Sequence, residues 1–394
     1  MSGVAALYVH VPFCASKCLY CDFDSRACRD GAAFDAYSDA MGDCLGLLAR
    51  EGVLLGCETA YVGGGTPSVL GPRLVRIVQG IRSAAPSLSE ISCEANPESM
   101  SSGLACELAA AGATRVSLGV QSLDDAELRA VGRLHTARRA VEAVGEVMAS
   151  GLDVSCDLMC GLPGQTAASW ERSVSSVLGL GVRHLSVYPL ALEEGTPLER
   201  AARRDPALEP DEDFQAACME RARDLCRDAG LLPYEVASYA EPGRACRHNA
   251  AYWTGKNYLG LGRSAASMLD RATYERLRGA LRLPAVSDGC ARVRFVQAGD
   301  ELPPHASWDV EELDEREAAA EDLMLGMRLN EGVSAELLER AGSVLGRDRV
   351  ERAVLLAVGE GLARWEGDGG RLAPTHRGWL MGNELFGIMW DLAR

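Results

Sequence analysis

The sequence predicts an α/β fold of six strand–helix units followed by a smaller, mainly helical domain. Two observations carry this. Up to about residue 190, short β-rich apolar runs alternate with amphipathic helical stretches; from about residue 205 the alternation stops. Strands alternating with helices mean parallel pairing with right-handed crossovers. Six such units make an incomplete barrel or an open sheet. In either, a ligand site forms at the carboxyl ends of the strands.

The strands are expected at Ala5–His10, Thr59–Val62, Glu90–Ala95, Arg115–Gly119, Asp153–Met159 and His184–Tyr188. The helices between them are expected at Phe34–Arg50, Pro72–Ala84, Ser101–Ala111, Arg138–Ser150 and Ala167–Leu180. Several run into the glycine that a helix C-cap favours, as in AAAGATRV, MASGLDV and LGLGVRH. After an acidic, Pro-containing linker, a helix is expected at Glu212–Ala229. The tail reads as helices, a β-hairpin in LARWEGDGGRLAPT and a last helix at Arg377–Ala393, a winged-helix-like module whose acidity argues against DNA.

Polar and glycine-rich motifs fall after each strand: the cysteine-rich loop, GGGTP, EANP, GVQS, DLMCGLPGQT and YPLALEEGTPL. Stability alone calls only for short generic turns there, so the strand edge is the expected site.

Composition narrows the function. The 394 residues carry a formal charge of −16, which opposes general nucleic-acid binding, because phosphate backbones select clustered Lys and Arg. No apolar run is long enough to cross a membrane; peripheral membrane contact stays open. The start, MSGVAALYVHVPFC, reads as a first strand and not as a signal peptide, so the cytoplasm is the expected compartment. Isolated cysteines such as Cys44, Cys57, Cys93 and Cys106 are expected to be small buried hydrophobes.

Cys14, Cys18 and Cys21 are different. Their Cys-x3-Cys-x2-Cys spacing after a strand suits zinc or an iron–sulfur cluster. Structural zinc takes four protein ligands, and no second Cys or His pair stands nearby at zinc-finger spacing. A four-iron cluster usually takes four cysteines, so three leave one iron open to a substrate or cofactor. Lys17 and loop N–H groups would help hold the negative cluster, and Tyr20 would shield its side.

The trio with an aromatic before its last cysteine resembles the radical S-adenosylmethionine superfamily. YVHVPFC, KCLYCDF, GGGTPS, EANP, RVSLGVQS, GRLH, DLMCGLPGQT and CRHNAAYW, in this order, resemble its oxygen-independent coproporphyrinogen III oxidase-like branch, and within it the haem chaperones. The likeness covers roughly residues 5–262 and the tail. It implies a partial (β/α)6 TIM-like barrel over 1–205, a linker and haem-site region completing it over 206–315, and a C-terminal domain over 316–394.

The resemblance also implies a [4Fe–4S] cluster on Cys14, Cys18 and Cys21, with S-adenosylmethionine on the open iron. Tyr8 would lie near the sulfonium. Gly64, Gly65, Thr66 and Glu94 would hold the amino group, and Gln121, Arg133 and Asp157 the ribose and carboxylate. Glycines 63 to 65 let backbone approach where a side chain would clash, and Arg133 suits a bidentate grip on a carboxylate. A reduced cluster of this kind cleaves the sulfonium to a 5′-deoxyadenosyl radical. No residue is assigned a catalytic role, and the electron donor is not named by the sequence.

Three departures matter. The oxidases carry a further cysteine two places after the third cluster cysteine, where this chain has Phe23. That favours haem carriage to haem-accepting proteins over radical chemistry on a tetrapyrrole, whether coproporphyrinogen dehydrogenation or haem degradation. His248–Trp253 matches the element that the chaperones are proposed to use for haem, with His248 as axial ligand and Tyr252 and Trp253 stacked on the porphyrin face. Ala266 stands where the family usually has His, and Arg263 is unusual. His135 is read as a ligand-side residue or a helix cap, and His10 as support. Cys156 and Cys160 lie beyond disulfide reach in one strand and are read as core. A monomer or a cluster-dependent dimer is expected.

Overall fold

A computed structural model describes residues 3–367 and 370–394. The six expected strands form at Ala6–Val11, Thr59–Gly64, Glu90–Ala95, Arg115–Gln121, Asp153–Cys160 and His184–Pro189. They pair in parallel in chain order, in registers such as Ala6 with Thr59, Thr59 with Glu90 and Ser92 with Arg115. Helices cover the outer face, so these strands are apolar on both sides, as a parallel sheet requires. Arg115–Val120 is buried throughout.

The helices start where side chains satisfy their first N–H groups. Asp30, Ser101, Asp124 and Thr136 each accept from a backbone N–H two or three residues inward. Thr166 and Ser169 form a reciprocal capping box. Trp170, 1% exposed, donates its indole N–H to the Cys218 carbonyl at 2.8 Å. It thereby ties Ala167–Gly179 to the helix Glu212–Asp228.

The sheet is larger than the sequence suggested. Among the described residues it has twelve strands. Tyr258–Leu261 pairs in parallel with the first strand, and Ala266–Asp270, Arg292–Ala298 and Ser307–Leu313 extend that edge antiparallel. Ser238–Ala240 and Leu232–Pro233 extend the other edge beyond His184–Pro189. Residues after 205 therefore add strands to both edges of the sheet instead of merely linking two domains.

One helix from that stretch, Arg247–Trp253, closes the amino end of the barrel. The Glu90 carboxylate, at the start of the third strand, accepts from the N–H groups of Arg247 and His248 at 3.0 Å each and from the Cys246 thiol. A carboxylate at a helix amino end also meets the positive end of its dipole. The C-terminal part has its own core, around Leu323, Leu345, Leu372 and Leu385. The hairpin pairs Ala363–Glu366 with Arg371–Pro374, and Val333–Ser334 adds a third strand. Residues 368 and 369 lie outside the described ones. The last helix is interrupted: His376–Leu380 ends at Met381, and Gly382–Trp390 follows. Two glycines in seven residues lower the helix propensity there.

Glu90→Ala should leave the buried His248 N–H and the Arg247 N–H without a partner. We expect a loss of roughly 2–5 kcal/mol in urea unfolding, with the C-terminal core unaffected in local hydrogen exchange.

Candidate cofactor site

The carboxyl ends of the six strands surround one cavity of about 280 Å3. Its walls include Cys14, Cys18 and Cys21 on one side and Gly64, Gly65, Thr66, Glu94, Gln121, Arg133 and Asp157 on the other. All but one of the residues expected around S-adenosylmethionine thus meet at a single place. The exception is Tyr8. Its hydroxyl bonds to His10 Nδ1 at 3.1 Å and its ring stacks on Tyr61, outside the cavity lining.

The cysteine loop is held from several directions. Phe13–Cys14 pairs with Arg26–Ala27 as a two-stranded parallel ladder. The Leu19 N–H reaches the Val131 carbonyl, and the Leu19 carbonyl accepts from Leu198. Cys14 is buried; Cys18 and Cys21 are half-buried; all three are free thiols. Lys17 donates to the Phe23 carbonyl at 2.8 Å, bracing the loop while its ammonium stays at the cavity. Burial pushes the Cys21 thiol up, so a thiolate there calls for a cationic partner such as iron. Among the described residues no three His, Cys, Asp or Glu side chains converge on one metal ion. A cluster spreads its thiolates over separate irons and does not need such convergence.

Beneath the loop runs GGGTP. A Cβ at Gly65 would lie 2.6 Å from the Phe13 carbonyl oxygen and 3.0 Å from Cys14 Sγ. Gly64 has φ 110°, and a Cβ there would meet the His10 ring at 2.7 Å. Only glycine lets the two backbones pass. His10 supports that crossing, with Nε2 against the Asp24 carbonyl oxygen at 2.9 Å. Thr66 donates toward Cys14 Sγ at 3.5 Å and accepts from Asn96.

Besides Lys17, two carboxyls and a guanidinium face the cavity. Glu94 accepts from the Tyr61 hydroxyl at 2.9 Å and from the Gly64 N–H at 3.0 Å. Burial, and then the nearby Asp157, push its carboxyl up to about 7. Burial raises Asp157 to about 6, although the Ser117 hydroxyl donates to it. Both carboxylates would be restored to their charged form by an ammonium or by hydroxyl donors. Arg133 differs from expectation. Its Nη2 already donates to Asn96 Oδ1 at 2.8 Å and to the Gly119 carbonyl, and its Nη1 lies 3.5 Å from Cys18 Sγ. The fork is occupied, so Arg133 ties the cysteine loop to the third and fourth strands. Its buried Nε has no hydrogen-bond partner among the described residues. Gln121 has φ 63° where the register between the fourth and fifth strands shifts. That bulge turns its side chain into the cavity at a backbone cost.

Asn96, Ser117, Met159 and Tyr188 also line the cavity. Period-two alternation could have found Ser117, because Ser117, Gly119 and Gln121 share one face. His135 is buried between Glu98 Oε2 at 3.3 Å and the Val120 carbonyl at 3.1 Å, away from the cavity. Cys156 and Cys160 are buried, as are Cys44, Cys57 and Cys93; Cys106 is exposed, contrary to expectation.

His248 and Tyr252 are a clearer correction. His248 is 1% exposed. Its Nδ1 meets Thr59 Oγ1 at 3.1 Å, its Nε2 meets the Tyr252 hydroxyl at 3.0 Å, and its ring stacks on Tyr61. Burial drops it to about 3, so it is neutral. With both ring nitrogens engaged on the barrel floor, it cannot ligate haem iron unless its helix leaves.

Residues 8–177 match the Radical SAM superfamily, and residues 313–381 match the HemN C-terminal domain. Heme chaperone HemW of Mycobacterium tuberculosis is 36% identical over 96% of this chain and 93% of its own. The chain belongs to the HemW family. The Bacillus subtilis HemW is 30% identical, covering 96% of this chain and 97% of the relative. The solved structure of Escherichia coli coproporphyrinogen III oxidase (HemN) has a TM-score of 0.75, covering 98% of this chain and 90% of that one at 20% identity. That likeness shows the fold, a partial barrel with a C-terminal helical domain. A radical SAM fold in the HemW family implies a [4Fe–4S] cluster and S-adenosylmethionine, and the glycine crossing, the buried carboxylates and the thiol-lined wall fit both.

Gly65→Ala should force the Phe13–Cys14 backbone away, and anaerobic reconstitution should load less iron and sulfide per chain than wild type at equal protein. A second expectation concerns pH. Glu94 binds its proton more tightly folded than unfolded, between 4.5 and about 7. The contribution of Glu94 to the stability of the cofactor-free protein is therefore full below that window and is lost as pH rises through about 7. Glu94→Gln should flatten this slope in urea midpoints taken below and above the window.

Proposed function

We propose that the protein is a haem chaperone of the HemW type. The observation that carries this is a near full-length match to proteins of that name, in a chain that has Phe23 where the oxidases carry an additional cysteine. Phe23 stands 58% exposed at the cavity wall, so no thiol lies at that position beside the trio.

Cys14, Cys18 and Cys21 would hold three irons. Gly64, Gly65 and Thr66, on the same cavity wall, would leave room for S-adenosylmethionine beside the cluster. Glu94 would take the ammonium of S-adenosylmethionine, and Gln121 and Asp157 the ribose hydroxyls. Arg133 contributes positive charge beside Cys18 and fixes the loop. The cluster supplies one-electron chemistry when bound. Tyr20, desolvated beside Cys18 and Cys21, keeps water from that side. Residues 1–205 form the cofactor core, 206–315 complete it, and 316–394 form the C-terminal domain. The haem acceptors are haem-requiring proteins.

The reconstituted, reduced protein with S-adenosylmethionine and coproporphyrinogen III should form no protoporphyrinogen under anaerobic conditions. The same preparation should bind haem stoichiometrically in a Soret titration and pass it to an apo-haemoprotein. Turnover of coproporphyrinogen or of haem would sink the chaperone reading.

A further inference from the structure

A second cavity, of about 600 Å3, lies between the sixth barrel strand and the C-terminal helices. That is within the roughly 300–1,000 Å3 of small-molecule sites. Tyr188 forms part of its wall and also part of the cofactor cavity's wall. The other side is built by Trp253, Arg328, Trp379 and Phe386.

Arg328 is the unusual member. Its guanidinium carbon stands 5.0 Å from the Trp253 ring centre and 4.6 Å from that of Phe386. Neighbouring arginines Arg292 and Arg294 are each matched to carboxylates, Glu321 among them. Among the described residues Arg328 has no ion pair and no side-chain hydrogen bond, and its Nε is buried without a partner. Aromatic contacts satisfy the faces of a guanidinium but not its in-plane N–H groups. Those donors form a fork that matches a carboxylate in two parallel bonds. Two carboxylates also line the cavity. Glu384 is exposed at the rim. Glu235 is buried; burial raises its carboxyl, and its charge also acts on Arg328.

The helix Arg247–Trp253 explains its own spacing here. His248 and Tyr252, four apart, face the barrel floor, whereas Asn249 and Trp253, also four apart, line the second cavity. The sequence element therefore has two faces with two tasks.

We propose that this interdomain cavity seats a planar aromatic carboxylate, a porphyrin whose ring lies against Trp253, Trp379 and Phe386 and whose propionate takes the Arg328 fork. This rests on the haem carriage proposed above and gives it a location other than His248.

Full-length wild type and Arg328→Gln are titrated with haem and with haem dimethyl ester, whose propionates are blocked. Circular dichroism and cluster content check the variant's fold. The expected result is a roughly 10–100-fold weaker haem affinity in Arg328→Gln, the loss of one or two charge-assisted hydrogen bonds. Wild type should weaken by a similar factor toward the ester, and Arg328→Gln should not distinguish the two ligands. Equal haem affinity in a folded Arg328→Gln overturns the seat while leaving haem carriage intact. If the variant does not fold, wild type decides alone: ester binding as tight as haem binding overturns the seat. Wild type that binds no haem removes the proposed function and this site with it.

Discussion

At Gly64 and Gly65 the backbone leaving the second strand passes directly under the Phe13 carbonyl and Cys14. The Thr66 N–H donates to that carbonyl at 2.7 Å, and the Gly65 N–H to Val11. A side chain at either glycine would separate two segments that must touch. This contact sets the height of the cysteine loop above the strands, and so decides which strand-end side chains the three thiols can share a cavity with. Arg133 repeats the constraint from the other side by joining Cys18 to Asn96 and Gly119.

The cavity that results is electrostatically unfinished. Two carboxyls are held above their usual range by burial, and the guanidinium beside them is committed to the loop. Such an arrangement gains from a ligand that brings its own positive charge and its own donors, because the burial cost has already been met by the fold. An amino acid sulfonium conjugate has that character. The second cavity has the opposite need, an acid for an arginine that forms no ion pair among the described residues. Tyr188 separates the two.

The six-unit repeat was legible because each strand and helix announces itself locally: apolar runs with period two, caps such as Ser101 and Thr166, and stop glycines such as Gly112. The cofactor wall was legible because strand ends of a parallel sheet converge. Other features depended on partners far away in sequence. Leu232–Pro233, Ser238–Ala240 and Tyr258–Leu261 are short and become strands by pairing with edges already present. Arg133 looked like a ligand clamp, since nothing local showed that Asn96 and Gly119 would occupy its fork. His248 looked like an iron ligand for the same reason: Thr59, 189 positions earlier, takes one of its nitrogens.

The first strand pairs with Thr59–Gly64 on one side and with Tyr258–Leu261 on the other. During synthesis its second edge therefore stays bare until about two hundred further residues have emerged, roughly 10–40 s at ribosomal rates. The floor helix arrives in the same interval. For that time the nascent chain carries a nearly complete row of barrel strands with an open bottom and an unpaired apolar strand edge, a template for wrong pairing. The thiols of the N-terminal loop emerge before the barrel that will surround them is finished, so the timing of iron delivery relative to translation becomes a constraint on making this protein at all.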